Sequence, residues 1–203
     1  MKREKYLSVI KNRIVSSQYG SVFVLSDFMD IANRETAKKA LQRLCNDKII
    51  RRIMRGVYYY PEYSNFLNEH VAPSPNEVAK AIARNYGWTI TPFGDTALNI
   101  LGLSSQVPAT WVYVSDGTYK KYSINTIKLQ FKKTTNKEIS GLSPKTALII
   151  QALKALGQEN VNQDVIDNIS NRLTDKEKEK LFTESQYSTS WIYETIKEIS
   201  KVK

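Results

Sequence analysis

The sequence predicts a mixed α+β protein: an N-terminal winged helix-turn-helix, followed by a mixed α+β domain with a helical C-terminus. Three observations support this prediction. The hydrophobic patterns of the first 60 residues run in the order helix, strand, helix, helix, hairpin. Positive charge is concentrated in that same segment. The rest of the chain first mixes strand and helix patterns and then becomes helical. We expect domains at residues 1–65 and 66–203.

The first predicted helix covers residues 3–18, where apolar residues including Ile10 and Ile14 recur at helical spacing. It is expected to end at Gly20. The apolar triplet at 22–24 predicts a short strand. Ser26 is then a suitable N-cap for a short second helix that contains Phe28.

The third predicted helix covers residues 34–46 and is capped by Asn33. Its inward stripe consists of Ala37, Ala40, Leu41 and Leu44. Two β-rich segments follow, at 49–53 and 57–60, and they are separated by a turn at 54–56. This helix and hairpin complete the winged helix-turn-helix pattern.

The second region begins after a junction near residues 70–75. Ser74 and Pro75 form a helix start, and Gly87 follows the end of that helix. The remaining patterns predict strands at 88–91, 111–114 and 122–133, and helices at 95–101, 143–156, 161–173, 175–183 and 189–200. Thr174 and Glu177 are spaced as a capping box for the helix at 175–183.

Charge favours an anionic partner, either nucleic acid or an acidic membrane surface. The net charge is +10, and residues 1–60 hold 13 Lys and Arg against 5 Asp and Glu. The remaining residues are close to neutral. No apolar run reaches the roughly 18 residues of a membrane-spanning helix, and the N-terminus lacks a secretory pattern. We therefore expect a cytoplasmic protein.

Composition also restricts the chemistry. A single cysteine, Cys45, excludes an internal disulfide and a thiolate metal cluster, and a single histidine, His70, excludes a multi-histidine metal site. There is no glycine-rich dinucleotide motif and no phosphate-binding P-loop. Ser8 and Lys11 match an SxxK pattern without the other parts of that catalytic machinery. We expect no catalytic residues, no metal and no cofactor.

A DNA major groove about 12 Å wide admits one helix, and the helix at 34–46 is the candidate. Its buried stripe turns Glu35, Lys39, Gln42 and Asn46 outward. Because strand side chains alternate, we expect only one of Arg51 and Arg52 to contact DNA. The candidate DNA-contact residues are Lys2, Arg3, Lys5, Arg34, Thr36, Lys38, Lys39, Gln42, Arg43, Arg51, Arg52 and Arg55.

Two other interpretations remain open for this region. The basic hairpin is also compatible with an ordinary surface ribbon, and winged helices also serve as protein-interaction or dimerisation modules. The charge excess favours DNA.

Several segments resemble the AbiEi-type antitoxins of bacterial type IV toxin–antitoxin and abortive-infection systems. In the first region these are residues 20–28, 40–44 and 50–61, which include the wing pattern Arg55-Gly56-x-Tyr58-x-x-Pro61. In the second region they are 91–97, 101–108 and 112–117, which include Leu101-Gly102-Leu103 and Gln106-Val107-Pro108. The second region is similar to an uncharacterised branch of that family.

The resemblance implies two activities. The N-terminal domain would repress the protein's own operon by binding double-stranded DNA at inverted repeats in the promoter. The second domain would help to counteract a nucleotidyltransferase-type toxin without a stable complex. Such a protein can be a monomer that assembles cooperatively on DNA. The alternative is a stand-alone winged-helix regulator with a ligand-sensing C-terminal domain, and an enzyme or nuclease of phage defence is a third hypothesis.

Overall fold

The protein divides into two compact units, unit 1 at Met1–Trp88 and unit 2 at Thr89–Lys203. The structure, a computed structural model, describes residues 2–134, 139 and 141–201, with side chains from Lys5 onward. The helices are α1 Lys2–Val15, α2 Arg34–Asn46, α3 Pro75–Tyr86, α4 Asp95–Leu101, α5 Pro144–Leu156, α6 Gln163–Asn171, α7 Asp175–Glu184 and α8 Ser190–Ile199. The strands are β1 Val22–Val24, β2 Arg51–Met54, β3 Val57–Tyr59, β4 Tyr63–Ser64, β5 Glu69–His70, β6 Ile90–Pro92, β7 Trp111–Ser115, β8 Lys120–Ile124 and β9 Ile127–Lys133. The protein is mixed α+β, as the sequence predicts.

Unit 1 combines α1, α2 and α3 with a three-stranded antiparallel sheet of order β1-β3-β2. Ile10 and Ile14 of α1 lie in one buried cluster with Leu41 and Leu44 of α2. The inward stripe predicted for α2 is therefore confirmed. Burial of these side chains fixes the rotation of α2 about its axis.

The short second helix differs from the prediction. It is a 3-10 helix at Leu25–Phe28, so Ser26 lies inside it and is not its N-cap. The Asp27 carboxylate instead accepts a hydrogen bond from the Val24 backbone N–H at 2.9 Å. This bond satisfies a free backbone donor at the start of the helix, two residues before the predicted cap at Ser26.

The junction predicted near residues 70–75 follows a small hairpin formed by β4 and β5, which the sequence analysis did not predict. Helix α3 starts with Pro75 at its first turn, and Ser74 makes no side-chain cap hydrogen bond. Arg84 of α3 donates to the Val22 carbonyl at 2.9 Å and to both Asp27 carboxylate oxygens at 3.2 Å. These bonds hold α3 in unit 1, so the first unit extends to Trp88 and not to the expected boundary at residue 65.

Unit 2 contains a mixed four-stranded sheet of order β6-β7-β9-β8. Strands β7 and β9 are parallel, and the other neighbours are antiparallel. The prediction of one long strand over 122–133 is wrong, because a turn at Asn125 divides it into β8 and β9. Asn125 has a φ of 51°, a left-handed conformation that asparagine tolerates better than most residues.

Helices α4 and α5 of unit 2 share a buried cluster with the C-terminal helices α6, α7 and α8. Ala97 and Leu153 are among its fully buried members. Thr174 caps α7, and the predicted capping box with Glu177 is present. Over the described ranges, none of the helices has the length and apolar character that crossing a bilayer requires.

Candidate nucleic-acid interface

Helix α2 presents a polar face to solvent, on the side opposite its buried stripe. The Asn33 side chain accepts a hydrogen bond from the Thr36 backbone N–H at 3.0 Å, as the predicted N-cap requires. Glu35, Lys39 and Gln42 are exposed, in agreement with the orientation predicted from the sequence. Gln42 donates to the Asn46 side-chain carbonyl at 3.3 Å, one turn further along the same face.

The hairpin of β2 and β3 turns through Arg55 and Gly56. Gly56 has a φ of 81°, which a side-chain-bearing residue adopts only with strain. Arg52 donates to the Met54 carbonyl at 3.2 Å, and the register of the two strands shifts between these residues. Arg55 is therefore held at the exposed tip of a tight turn.

A groove of about 230 Å³ lies between α2 and this hairpin; we call it the α2–hairpin groove. Arg34, Lys38 and Gln42 line it from α2, and Arg52 and Arg55 line it from the hairpin. Five candidate residues from two separate segments therefore face one surface depression.

Other candidate residues face a second depression of about 350 Å³ between α1 and α2. Thr36, Lys39 and Arg43 line it together with Leu7. Glu35 lines both depressions, so it lies on the ridge between them. Basic side chains of α2 therefore lie on both sides of the Glu35 carboxylate.

The remaining candidates lie elsewhere. Arg51 is exposed but does not line the α2–hairpin groove. Consecutive residues of a strand point to opposite faces, and Arg52 shares its face with Tyr58, which also lines the groove, whereas Arg51 is paired with Tyr59. Lys5 is exposed on α1 and lines neither depression. The side chains of Lys2 and Arg3 fall outside the described residues.

Most of the candidate cations are not neutralised. Among the side chains that the structure describes, the only candidate cation with a carboxylate within 4.0 Å is Arg43, whose Nε lies 4.0 Å from Asp47. No carboxylate of the described residues pairs with the other candidates, which are Lys5, Arg34, Lys38, Lys39, Arg51, Arg52 and Arg55.

Two other arginines of unit 1 are paired, and they have structural roles. Arg13 of α1 donates to both Asp30 carboxylate oxygens at 2.8 and 2.6 Å, and to the Asp27 carbonyl at 2.8 Å. The hydrogen bond between Arg13 and Asp30 raises the pKa of Arg13 and lowers the pKa of Asp30. Arg84 pairs with Asp27. These long-range pairs, 17 and 57 residues apart in the chain, leave no local pattern in the sequence.

Two side chains of this region, one on α2 and one on β3, have a raised pKa. Burial raises the pKa of the Cys45 thiol, which keeps it protonated and unsuited to act as a nucleophile. Burial also raises the pKa of the Tyr58 phenol, at the floor of the groove. The described residues include no group of three His, Cys, Asp or Glu side chains that could hold a metal ion.

The chain was compared with protein families, with curated proteins and with solved structures. The chain is similar to the "Crystal structure of RV2827C protein from Mycobacterium tuberculosis" with a TM-score of 0.42 and 11% identity, covering 97% of this chain and 76% of that one. No curated protein matches the chain. The model of a family of unknown function, DUF6088, matches residues 9–181. The chain therefore belongs to the DUF6088 family.

Proposed function

We propose that unit 1 is a winged helix that binds double-stranded DNA, and that the protein is an autorepressor and antitoxin. The observation that carries the DNA half is the α2–hairpin groove, where four cationic side chains from α2 and the hairpin share one surface. Unpaired cations are available to phosphate without first losing a carboxylate partner. In this proposal α2 is the recognition helix and the β2–β3 hairpin is the wing.

The roles of the residues follow from their donors and their positions. Gln42, with its amide at the centre of the polar face, is suited to pair with adenine. Lys39 and Arg43 are suited to guanine or to phosphate, and Arg55 at the tip of the wing to phosphate or the minor groove. Glu35 on the ridge would accept from a cytosine amino group, because a carboxylate facing phosphate would be repelled.

The antitoxin half rests on the resemblance of the second region to AbiEi-type antitoxins. In this role the chain would counteract a nucleotidyltransferase-type toxin in the cytoplasm without a stable complex. It would act on DNA as two copies, because an inverted repeat presents two equivalent half-sites. The copies can assemble cooperatively on DNA from a monomer in solution.

Repression of a reporter gene from the chain's own upstream region tests the DNA half. The wild type should repress, and the double variant Arg52→Ala/Arg55→Ala should not. Lys180→Ala/Lys197→Ala removes the same charge from exposed positions in unit 2 and should repress like the wild type. Equal repression by both double variants would contradict the assignment of the groove.

Growth of cells that express the neighbouring toxin gene from an inducible promoter tests the antitoxin half. We expect the full chain to restore growth. The variant Arg52→Ala/Arg55→Ala should restore it equally well, because the toxin gene is no longer under the operon's own promoter. Failure of the wild type to restore growth would leave a DNA-binding regulator and remove the antitoxin role.

A further inference from the structure

A second basic surface lies in unit 2, on the hairpin of β8 and β9. Lys128, Gln130 and Lys132 alternate along β9 and share one face of the sheet. Lys121 and Ser123 of β8 lie directly opposite Gln130 and Lys128, and therefore on the same face. The other face of β9 carries buried apolar side chains. We call Lys121, Lys128 and Lys132 the lysine row.

The spacing of the lysine row is regular. Neighbouring same-face positions along a strand are about 6.6 Å apart, so Lys128 and Lys132 are separated by about 13 Å. Lys121 lies beside Gln130, midway between them. Because neighbouring strands lie about 4.8 Å apart, Lys121 is offset to the side, and the row places its three charges in a zigzag with about 8 Å between successive positions.

The lysine row is also unpaired, and aromatic rings border it. In the part of the chain that the structure describes, no carboxylate forms an ion pair with these three lysines. The Lys121 amine lies 5.8 Å from the centre of the Tyr119 ring, and the Lys132 amine lies 5.1 Å from the centre of the Phe93 ring. Tyr119 is 55% exposed, so much of its ring is open to solvent.

We propose that the lysine row binds a single strand of nucleic acid, with phosphates along the lysines and a base stacked on Tyr119. Regular point charges on a sheet face suit a repeating anionic backbone, and an exposed ring beside them offers a stacking surface. Gln130 lies between Lys128 and Lys132, and Ser123 lies beside Lys128, so both add neutral hydrogen-bonding groups to this face. This site is separate from the α2–hairpin groove and does not depend on the proposed duplex binding.

Fluorescence anisotropy of the full chain with labelled 12-nucleotide strands tests the proposal. The test uses RNA, DNA and the matching DNA duplex. The variant Lys121→Gln/Lys128→Gln/Lys132→Gln removes the charges and keeps polar side chains that are one atom shorter than lysine. We expect it to bind the single strands about tenfold more weakly, or worse, than the wild type. Its salt dependence should fall by about 2 in slope, since each of three lost phosphate contacts contributes about 0.7 on a single strand.

Two controls separate this site from other basic surfaces. Lys176→Gln/Lys180→Gln/Lys197→Gln removes three charges from α7 and α8 and should bind the strands like the wild type. Arg52→Ala/Arg55→Ala should lose duplex binding and keep single-strand binding. A further variant, Tyr119→Ala, should weaken strand binding without changing the salt dependence, because stacking releases no counterions.

The outcomes are distinct. A loss on RNA alone, on DNA alone or on both strands supports the lysine row as a single-strand site and identifies the strand. Wild-type affinity of the lysine-row variant for both strands overturns the proposal. A loss for the duplex alone also overturns it, because the row would then bind a duplex and not a single strand.

Discussion

The arginines of unit 1 differ in what accepts their hydrogen bonds. Arg13 and Arg84 donate to carboxylates of the same unit and connect its elements. Arg52 and Arg55 have no carboxylate partner among the described side chains and line the α2–hairpin groove. The first pair stabilises the fold, and the second pair is free to bind an anion. The amino-acid composition cannot distinguish the two paired arginines from the two that line the groove.

Arg51 and Arg52 form a matched pair on one strand. Arg52→Ala should weaken binding to every duplex and reduce the salt slope by about 1, because it removes one phosphate contact. Arg51→Ala removes the same charge outside the groove and should have a smaller effect. Anisotropy titrations at several salt concentrations measure both variants. Equal losses would mean that net charge, and not the groove, determines affinity.

Gln42 should determine sequence preference rather than overall affinity. Gln42→Ala should reduce the difference between operator and unrelated DNA by about 1–3 kcal/mol, the discrimination of one bidentate base contact. Competition titrations with single-base operator variants measure this difference. Lys38→Ala, on the same groove, should weaken operator and unrelated DNA alike. An unchanged preference in Gln42→Ala would show that α2 is not the reading helix.

Glu177 should make unit 2 sensitive to acid. Its carboxylate accepts from the Lys145 amine at 2.8 Å and from the Thr174 backbone N–H at 2.9 Å, which lowers its pKa to about 2. A lowered pKa stabilises the folded state above the ordinary pKa of 4.5, and that contribution is lost as the pH falls toward 2.

Thermal unfolding between pH 7 and pH 2 measures this effect. Glu177→Gln should be less stable than the wild type at pH 7, and the difference should shrink as the pH falls from about 4.5 to 2. Glu179→Gln changes the same charge on the same helix and serves as the control. A difference between Glu177→Gln and wild type that is the same at both pH extremes would contradict the role of the ion pair.

At the scale of elements, the start of α2 depends on one side chain. Asn33→Ala removes the acceptor of the Thr36 N–H and should lower the free energy of unfolding by about 1 kcal/mol. Asn33→Ser keeps an acceptor and should recover most of that loss. Urea unfolding followed by circular dichroism compares the three proteins. Equal stability of Asn33→Ala and the wild type would show that the cap contributes little.

Sequence patterns predict the elements that local chemistry determines. Asn33 and Thr174 are side-chain caps, and both make their predicted hydrogen bonds. The patterns were misleading where one residue changes a local conformation. The hydrogen bond between Asp27 and the Val24 N–H accompanies a helix that begins before Ser26, the predicted cap. The left-handed conformation of Asn125 interrupts an otherwise continuous strand pattern. The convergence of α2 and the hairpin on one groove follows from tertiary packing, and no sequence spacing reveals it.

For the protein as a whole, the sequence predicts where positive charge is concentrated, but it does not predict the residue at which unit 1 ends and unit 2 begins. The excess of lysine and arginine in residues 1–60 is visible in the sequence and agrees with the unpaired cations of unit 1. The end of unit 1 at Trp88 depends on contacts of α3, such as Arg84 with Asp27, between residues far apart in the chain. The distribution of charge along the sequence therefore indicates a basic region but not where unit 1 ends.

One titration tests directly whether unit 1 binds the protein's own promoter DNA, as proposed. The test is an anisotropy titration of the full chain against labelled DNA from upstream of its own gene. A scrambled duplex is the competitor, and the salt concentrations are 50 and 200 mM. We predict preferential binding to the upstream DNA and, for about 6–10 phosphate contacts, an affinity roughly 10³–10⁵-fold weaker at the higher salt. Equal affinity for the scrambled duplex, or an affinity that does not change with salt, would contradict the claim.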